Sequence, residues 1–242
     1  MIDNQIHLQV LEFIKKSNTS EDAWVQHYLG SNKITYGIKS SQIKKFSKKI
    51  VEDNNLDQNQ LVNLLNSLYQ NATTFTEMAI AACILGSKKE FCRNLDSNIL
   101  DNWLNYTHGW AEVDCLCQSN FTPDILLLDW QKWQKLLKKF NHDKNIHKRR
   151  ASLVLLNKSV AKLDDPRFSK LALEFIESLK SEKEVLITKA VSWLLRSLVA
   201  FHKDELLEYL ENNKDSLPKI AYREALTKAT TGRKYNNSKK QK

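Results

Sequence analysis

Three short stretches of the 242-residue chain hold residue types whose spacing could do chemistry. In His108-Gly109-Trp110-Ala111-Glu112-Val113-Asp114, Trp110 and Asp114 stand four apart, which on a helix puts an aromatic plane and a carboxylate on one face. Asp114 lies in a mostly apolar stretch, so two readings stay open: a carboxylate hydrogen-bonded to a neighbouring helix end, or one held for catalysis. Between Glu182 and Phe201, residues Ile187, Val191, Leu194, Leu195 and Leu198 define one helix face, and Lys189, Trp193 and Arg196 lie together on the other. Tryptophan on a helix normally belongs to the core, but an aromatic set between two cations suits a nucleic-acid sugar and its phosphates. Lys148-Arg149-Arg150 falls near the start of a predicted helix, where the macrodipole disfavours cations and a bound phosphate would reverse the balance. The alternative there is a surface helix with solvated charges.

The elements that must position these residues read as helices throughout. Only five glycines and three prolines punctuate the chain, and apolar residues recur three and four apart almost everywhere. The spacing predicts helices over Ser20 to Leu29, Ser41 to Val51, Trp110 to Gln118, Ile146 to Leu156 and Glu182 to Phe201, among thirteen in all. Ser20 and Ser40 suit N-caps, and Pro218 suits a first helical turn. A dozen or so helices with short joins fit antiparallel pairs stacked side by side, as in HEAT or armadillo arrays, with a compact globular helical domain as the alternative. A single domain over residues 1–231 is expected, followed by a basic, flexible tail over 232–242.

Composition narrows the partners. With 42% hydrophobic and 27% charged residues, the chain can build a sizeable core. Its formal charge is +9; the stretch Gly232 to Lys242 contributes five cations and no acid, leaving +4 for the body. That remainder is clustered: Lys132, Lys135, Lys138, Lys139, Lys144, Lys148, Arg149 and Arg150 share a stretch whose one acid is Asp143. An acidic partner is expected. The absence of a long uncharged apolar run and of a basic leader points to the cytoplasm. Cys115 and Cys117, two apart on a helix, do not converge on one ion, so neither a zinc site nor a disulfide framework is expected. With no phosphate-binding Gly-rich loop, no GxSxG elbow and no metal-spaced histidines, kinase, NTPase, hydrolase-elbow and metalloenzyme chemistries lose their support.

Taken in order, the Trp110–Asp114 segment, Lys148-Arg149-Arg150-Ala151-Ser152 and Lys189-Ala190-Val191-Ser192-Trp193-Leu194-Leu195-Arg196 resemble the AlkD-like DNA alkylation-repair glycosylases. The likeness runs from about Tyr36-Gly37-Ile38 to Gly232-Arg233-Lys234. It implies a curved HEAT-like solenoid with a concave, basic, DNA-binding face. It also implies excision of cationic bases such as N3-methyladenine and N7-methylguanine from duplex DNA without turning the base into a pocket. By the same resemblance Trp110 and Trp193 would contact the lesion's deoxyribose and Asp114 would be the catalytic carboxylate. Arg150 would grip the DNA backbone, with Arg149, Lys148, Lys189 and Arg196 beside it. No metal, cofactor or membrane is implied, and a monomer is expected.

The chemistry fits this inventory. An alkylated purine already carries positive charge, so its glycosidic bond can break without a general acid, and one carboxylate can oppose the developing sugar cation and orient water. The competing reading is a noncatalytic HEAT-like module that binds structured DNA or a protein partner. Asp114 discriminates the two, because DNA binding alone prefers no carboxylate beside phosphates.

Overall fold

The computed structural model describes residues 2–17, 19–118 and 120–235. It is all-α: fifteen α-helices and one 3-10 turn, with extended backbone paired only at the isolated bridges Glu21–Tyr36 and Ile34–Thr74 among the described residues. The chain divides into two compact units, Met1–Phe121 and Thr122–Lys242.

The first unit holds α1 (Ile2–Lys16), α2 (Ala23–Leu29), α3 (Ser40–Asp53), α4 (Gln58–Gln70), α5 (Phe75–Ser87), α6 (Lys89–Asn94), α7 (Ser97–Trp103), the 3-10 turn Leu104–Tyr106, and α8 (Gly109–Gln118). Its centre is α5. The run Thr76 to Ala82 is buried on every side, and α1, α3, α4 and α8 pack around it. A helix apolar all round belongs inside, and this one starts on a firm cap: Thr74 Oγ1 accepts from Glu77 N at 3.2 Å while the Glu77 carboxylate accepts from Thr74 N at 2.8 Å.

The second unit holds α9 (Pro123–Leu128), α10 (Trp130–Asn141), α11 (Ile146–Lys162), α12 (Pro166–Leu179), α13 (Val185–Leu198), α14 (Lys203–Asn212) and α15 (Lys219–Thr231). Helices α11, α13 and α15 lie side by side, and α10, α12 and α14 pack against them from the intervening positions. This is the stacked-pair arrangement that short joins between amphipathic helices favour. On α13 the apolar stripe Ile187, Val191, Leu194, Leu195 and Leu198 is buried as its spacing requires.

Several boundaries differ from expectation for local reasons. Helix α2 begins at Ala23, not Ser20, because Asp22 is the cap that accepts from Val25 N at 2.8 Å while Glu21 is held in its bridge to Tyr36. Ser40 is the first residue of α3, preceded by Lys39, whose N–H donates to Gln42 Oε1 at 3.1 Å. Pro218 is itself the capping residue of α15, whereas Pro123 and Pro166 occupy first turns. Helix α11 runs on to Lys162, six residues past the expected end. The expected basic tail lies outside the described residues from position 236 onward.

Candidate nucleic-acid interface

In the first unit the site is built where α2 ends against the start of α8. Gly30 and Gly109 both have left-handed backbone, with φ of 67° and 73°. Their backbones touch so closely that a Cβ on Gly109 would lie 2.3 Å from Gly30 O. Only glycine meets both demands at once. The contact brings Trp110 onto the last turn of α2, where its Nε1 donates to Tyr28 O at 2.6 Å and its ring meets the Tyr28 ring edge-on, centroids 5.5 Å apart. Tyr28 in turn stacks on Trp24 at 5.7 Å. Trp24 is 73% exposed and Tyr28 59%, so the junction offers two exposed aromatic rings beside the half-buried Trp110. Asp114 follows Trp110 by one turn and is half-buried, as is Trp110. The neighbouring Cys115 thiol is pushed up to about 12, by burial first and by the Asp114 charge next, so it is no nucleophile.

In the second unit Trp193 is half-buried on α13 with the exposed Lys189 one turn before it. Behind it the Ser197 hydroxyl shares its one proton between Trp193 O at 3.0 Å and Asn157 Oδ1 of α11 at 2.8 Å, which ties this turn of α13 to α11. Arg196 is turned toward α15: its Nη1 donates to Ser192 Oγ at 2.9 Å and to the Glu224 carboxylate. Arg150 is 4% exposed and donates through Nη1 to Leu186 O at 2.6 Å, joining α11 to the first turn of α13. Lys148 is likewise buried. Arg149 is held by Glu182, with Nε to Oε1 at 2.8 Å and Nη2 to Oε2 at 3.1 Å, and by the carbonyls of Asp143 and Lys144.

Each unit therefore gathers part of the expected set. Trp110 and Asp114 share a face of α8, and Trp193, Lys189 and Arg196 share a stretch of α13 that Arg150 braces from α11. Sequence reasoning missed Tyr28 and Trp24, which join Trp110 only through the packing of α2 on α8. It also missed the acids that hold the basic cluster, since Glu182 binds Arg149 and Glu174 binds Lys138 at 2.9 Å, both from beyond the stretch Lys132 to Arg150. A row of exposed lysines on α3, Lys44, Lys45, Lys48 and Lys49, adds positive surface in the first unit.

Among the described residues no group of three or more His, Cys, Asp or Glu side chains could hold a metal ion, and no helix is long and apolar enough to cross a membrane. No curated protein matches the chain. Among solved structures, a predicted DNA alkylation repair enzyme from Enterococcus faecalis superposes with a TM-score of 0.71 at 18% identity, covering 87% of this chain and 95% of that one. At that identity the likeness speaks for the fold. The sequence model of the DNA alkylation repair enzymes matches residues 10–229, nearly the whole length, and the chain belongs to that family.

Proposed function

We propose that the protein is a monofunctional DNA glycosylase that hydrolyses the N-glycosidic bond of cationic alkylated purines, N3-methyladenine and N7-methylguanine, in duplex DNA without base flipping. The observation that carries this reading is the Trp110–Asp114 pair, a carboxylate and an indole on one half-buried face of α8 beside exposed aromatic rings. A carboxylate meant only to bind a helix end has no need of that company.

The positively charged purine withdraws the bonding pair as the C1′–N bond breaks and leaves as a neutral base. The sugar becomes oxocarbenium-like, Asp114 opposes its charge, and water adds to C1′ and passes its extra proton to solvent water. Trp110 and Trp193 flank the sugar through C–H to π contacts of second-order strength. Phosphates are met by Lys189 and by the α3 lysines, while Arg150, Arg149 and Arg196 brace α13, which presents Lys189, and together with Lys148 add their field to the DNA-binding surface. The protein acts as a monomer in this reading.

The test is release of free N3-methyladenine and N7-methylguanine from methylated duplex DNA under single-turnover conditions. Base release with no strand scission is expected. Binding of DNA with no release of either base would refute the glycosylase and leave the noncatalytic DNA-binding module in its place.

A further inference from the structure

Glu112 lies on α8 between Trp110 and Asp114 but turns inward, 1% exposed. Its Oε1 accepts from Ser31 Oγ, and its Oε2 accepts from Lys33 Nζ at 2.9 Å and from His108 N at 2.8 Å. Lys33 Nζ donates as well to Tyr106 O at 2.9 Å. One buried carboxylate thus joins the loop after α2, the turn before α8 and the first turn of α8. The same loop begins at Gly30, whose backbone rests on Gly109, and the same α2 offers Tyr28 O to the Trp110 indole.

We propose that Glu112 and Lys33 form a positioning clamp that sets the rotation of α8, and with it the direction of Trp110 and Asp114. The proposal rests on the glycosylase reading for its kinetic part alone. A buried ion pair is a poor way to gain stability, since a well-packed apolar pair of the same volume often serves as well or better. What it supplies here is direction, because three donors arriving from two chain segments leave the carboxylate one orientation. Direction matters at this position: turning α8 by about 15° would carry a side-chain end, about 5–6 Å from the axis, through roughly 1.5 Å. A misplacement of that size at a reacting centre costs on the order of 10² in rate.

Two variants test the clamp, Glu112→Gln and the charge-free double variant Glu112→Gln/Lys33→Met, which leaves no buried charge unpaired. Should neither fold, Ser31→Ala removes one donor to the same carboxylate and carries the same comparison. Single-turnover excision of N7-methylguanine at saturating enzyme is expected to fall about 10- to 100-fold, with affinity for undamaged duplex within about twofold of wild type. The 15N–1H resonance of the Trp110 indole should shift, while that of Trp103, bonded to Asn66 Oδ1 at 2.7 Å, stays in place as an internal control. Folded variants with wild-type excision and an unmoved Trp110 resonance overturn the clamp and leave Glu112 a purely structural tie. If the wild-type protein releases no base, the glycosylase reading fails, and the Trp110 resonance decides the clamp by itself.

Discussion

The role of Asp114 turns on its charge, and Asp114→Asn separates charge from shape. The amide keeps the size and most of the hydrogen-bonding capacity of the side chain but no longer opposes a sugar cation. Excision of N7-methylguanine should drop by on the order of 10² to 10³, about 3 to 4 kcal/mol, as for loss of one preorganised electrostatic contact. Binding to damaged DNA should hold or tighten, because a negative charge beside phosphates is gone. Equal single-turnover rates for wild type and variant would return Asp114 to a structural part. The pair itself was legible in sequence because residues four apart on one helix must share a face. Tyr28 was not legible. It precedes Trp110 by 82 residues, and nothing in either segment announces that two left-handed glycines bring α2 and α8 into backbone contact. Arg150 was legible as a cation but not as a buried one: its hydrogen bond to Leu186 O depends on how α11 and α13 pack.

At the scale of elements, periodicity revealed a helix best where one face meets water. The stripe on α13 is legible residue by residue, whereas α11, buried on nearly all sides from His147 to Val160, loses its contrast, so its periodicity does not mark its true end. The short α6 and α9 carry too few turns to show a period. Another element-level feature, the docking of α1, depends on pH through Glu77. His7 on α1 meets Ser67 of α4 at 2.7 Å and the Glu77 carboxylate at the start of α5 at 3.0 Å. Burial by itself raises the Glu77 pKa, but hydrogen bonds from His7, from the Thr74 hydroxyl and from the Thr74 and Thr73 amides outweigh it, and the carboxyl sits below its ordinary 4.5. A carboxyl that is more acidic in the folded state contributes stability above its unfolded pKa and loses it as pH falls through the folded one. Thermal or urea unfolding of wild type should therefore show stability declining from about pH 4.5 downward. Glu77→Gln should be less stable at neutral pH and show a shallower decline over the same range. Parallel pH profiles for the two proteins would assign the acid sensitivity to other carboxylates.

Across the whole molecule the charge is divided unevenly. The unit Met1–Phe121 carries 11 Lys and Arg against 13 Asp and Glu, a net of −2, and Thr122–Lys242 carries 26 against 15, a net of +11. Long-range attraction of a polyanion is thus the work of the second unit, while the first contributes local patches such as the exposed α3 lysines. The total charge was plain from composition, but its usable part was not, because Glu174, Glu182 and Glu224 reach back to cations that look unopposed along the chain. Counterion release turns this into a measurable quantity: the slope of log affinity against log salt is about −0.9 for each phosphate neutralised on duplex DNA. Lys189 is exposed one turn from Trp193, so Lys189→Gln should flatten the slope for undamaged duplex by roughly one unit, equally for any sequence. Truncation after Tyr235 removes Lys239, Lys240 and Lys242, and should flatten it by up to about three units. Neither change touches the groups that meet the sugar, so single-turnover excision at saturating enzyme should stay within about twofold of wild type for both. A truncated protein with the full wild-type slope would mean that the last lysines contact no phosphate. Excision that falls in step with affinity even at saturation would instead mean that the tail helps to hold the lesion in register, a role that charge alone does not give it.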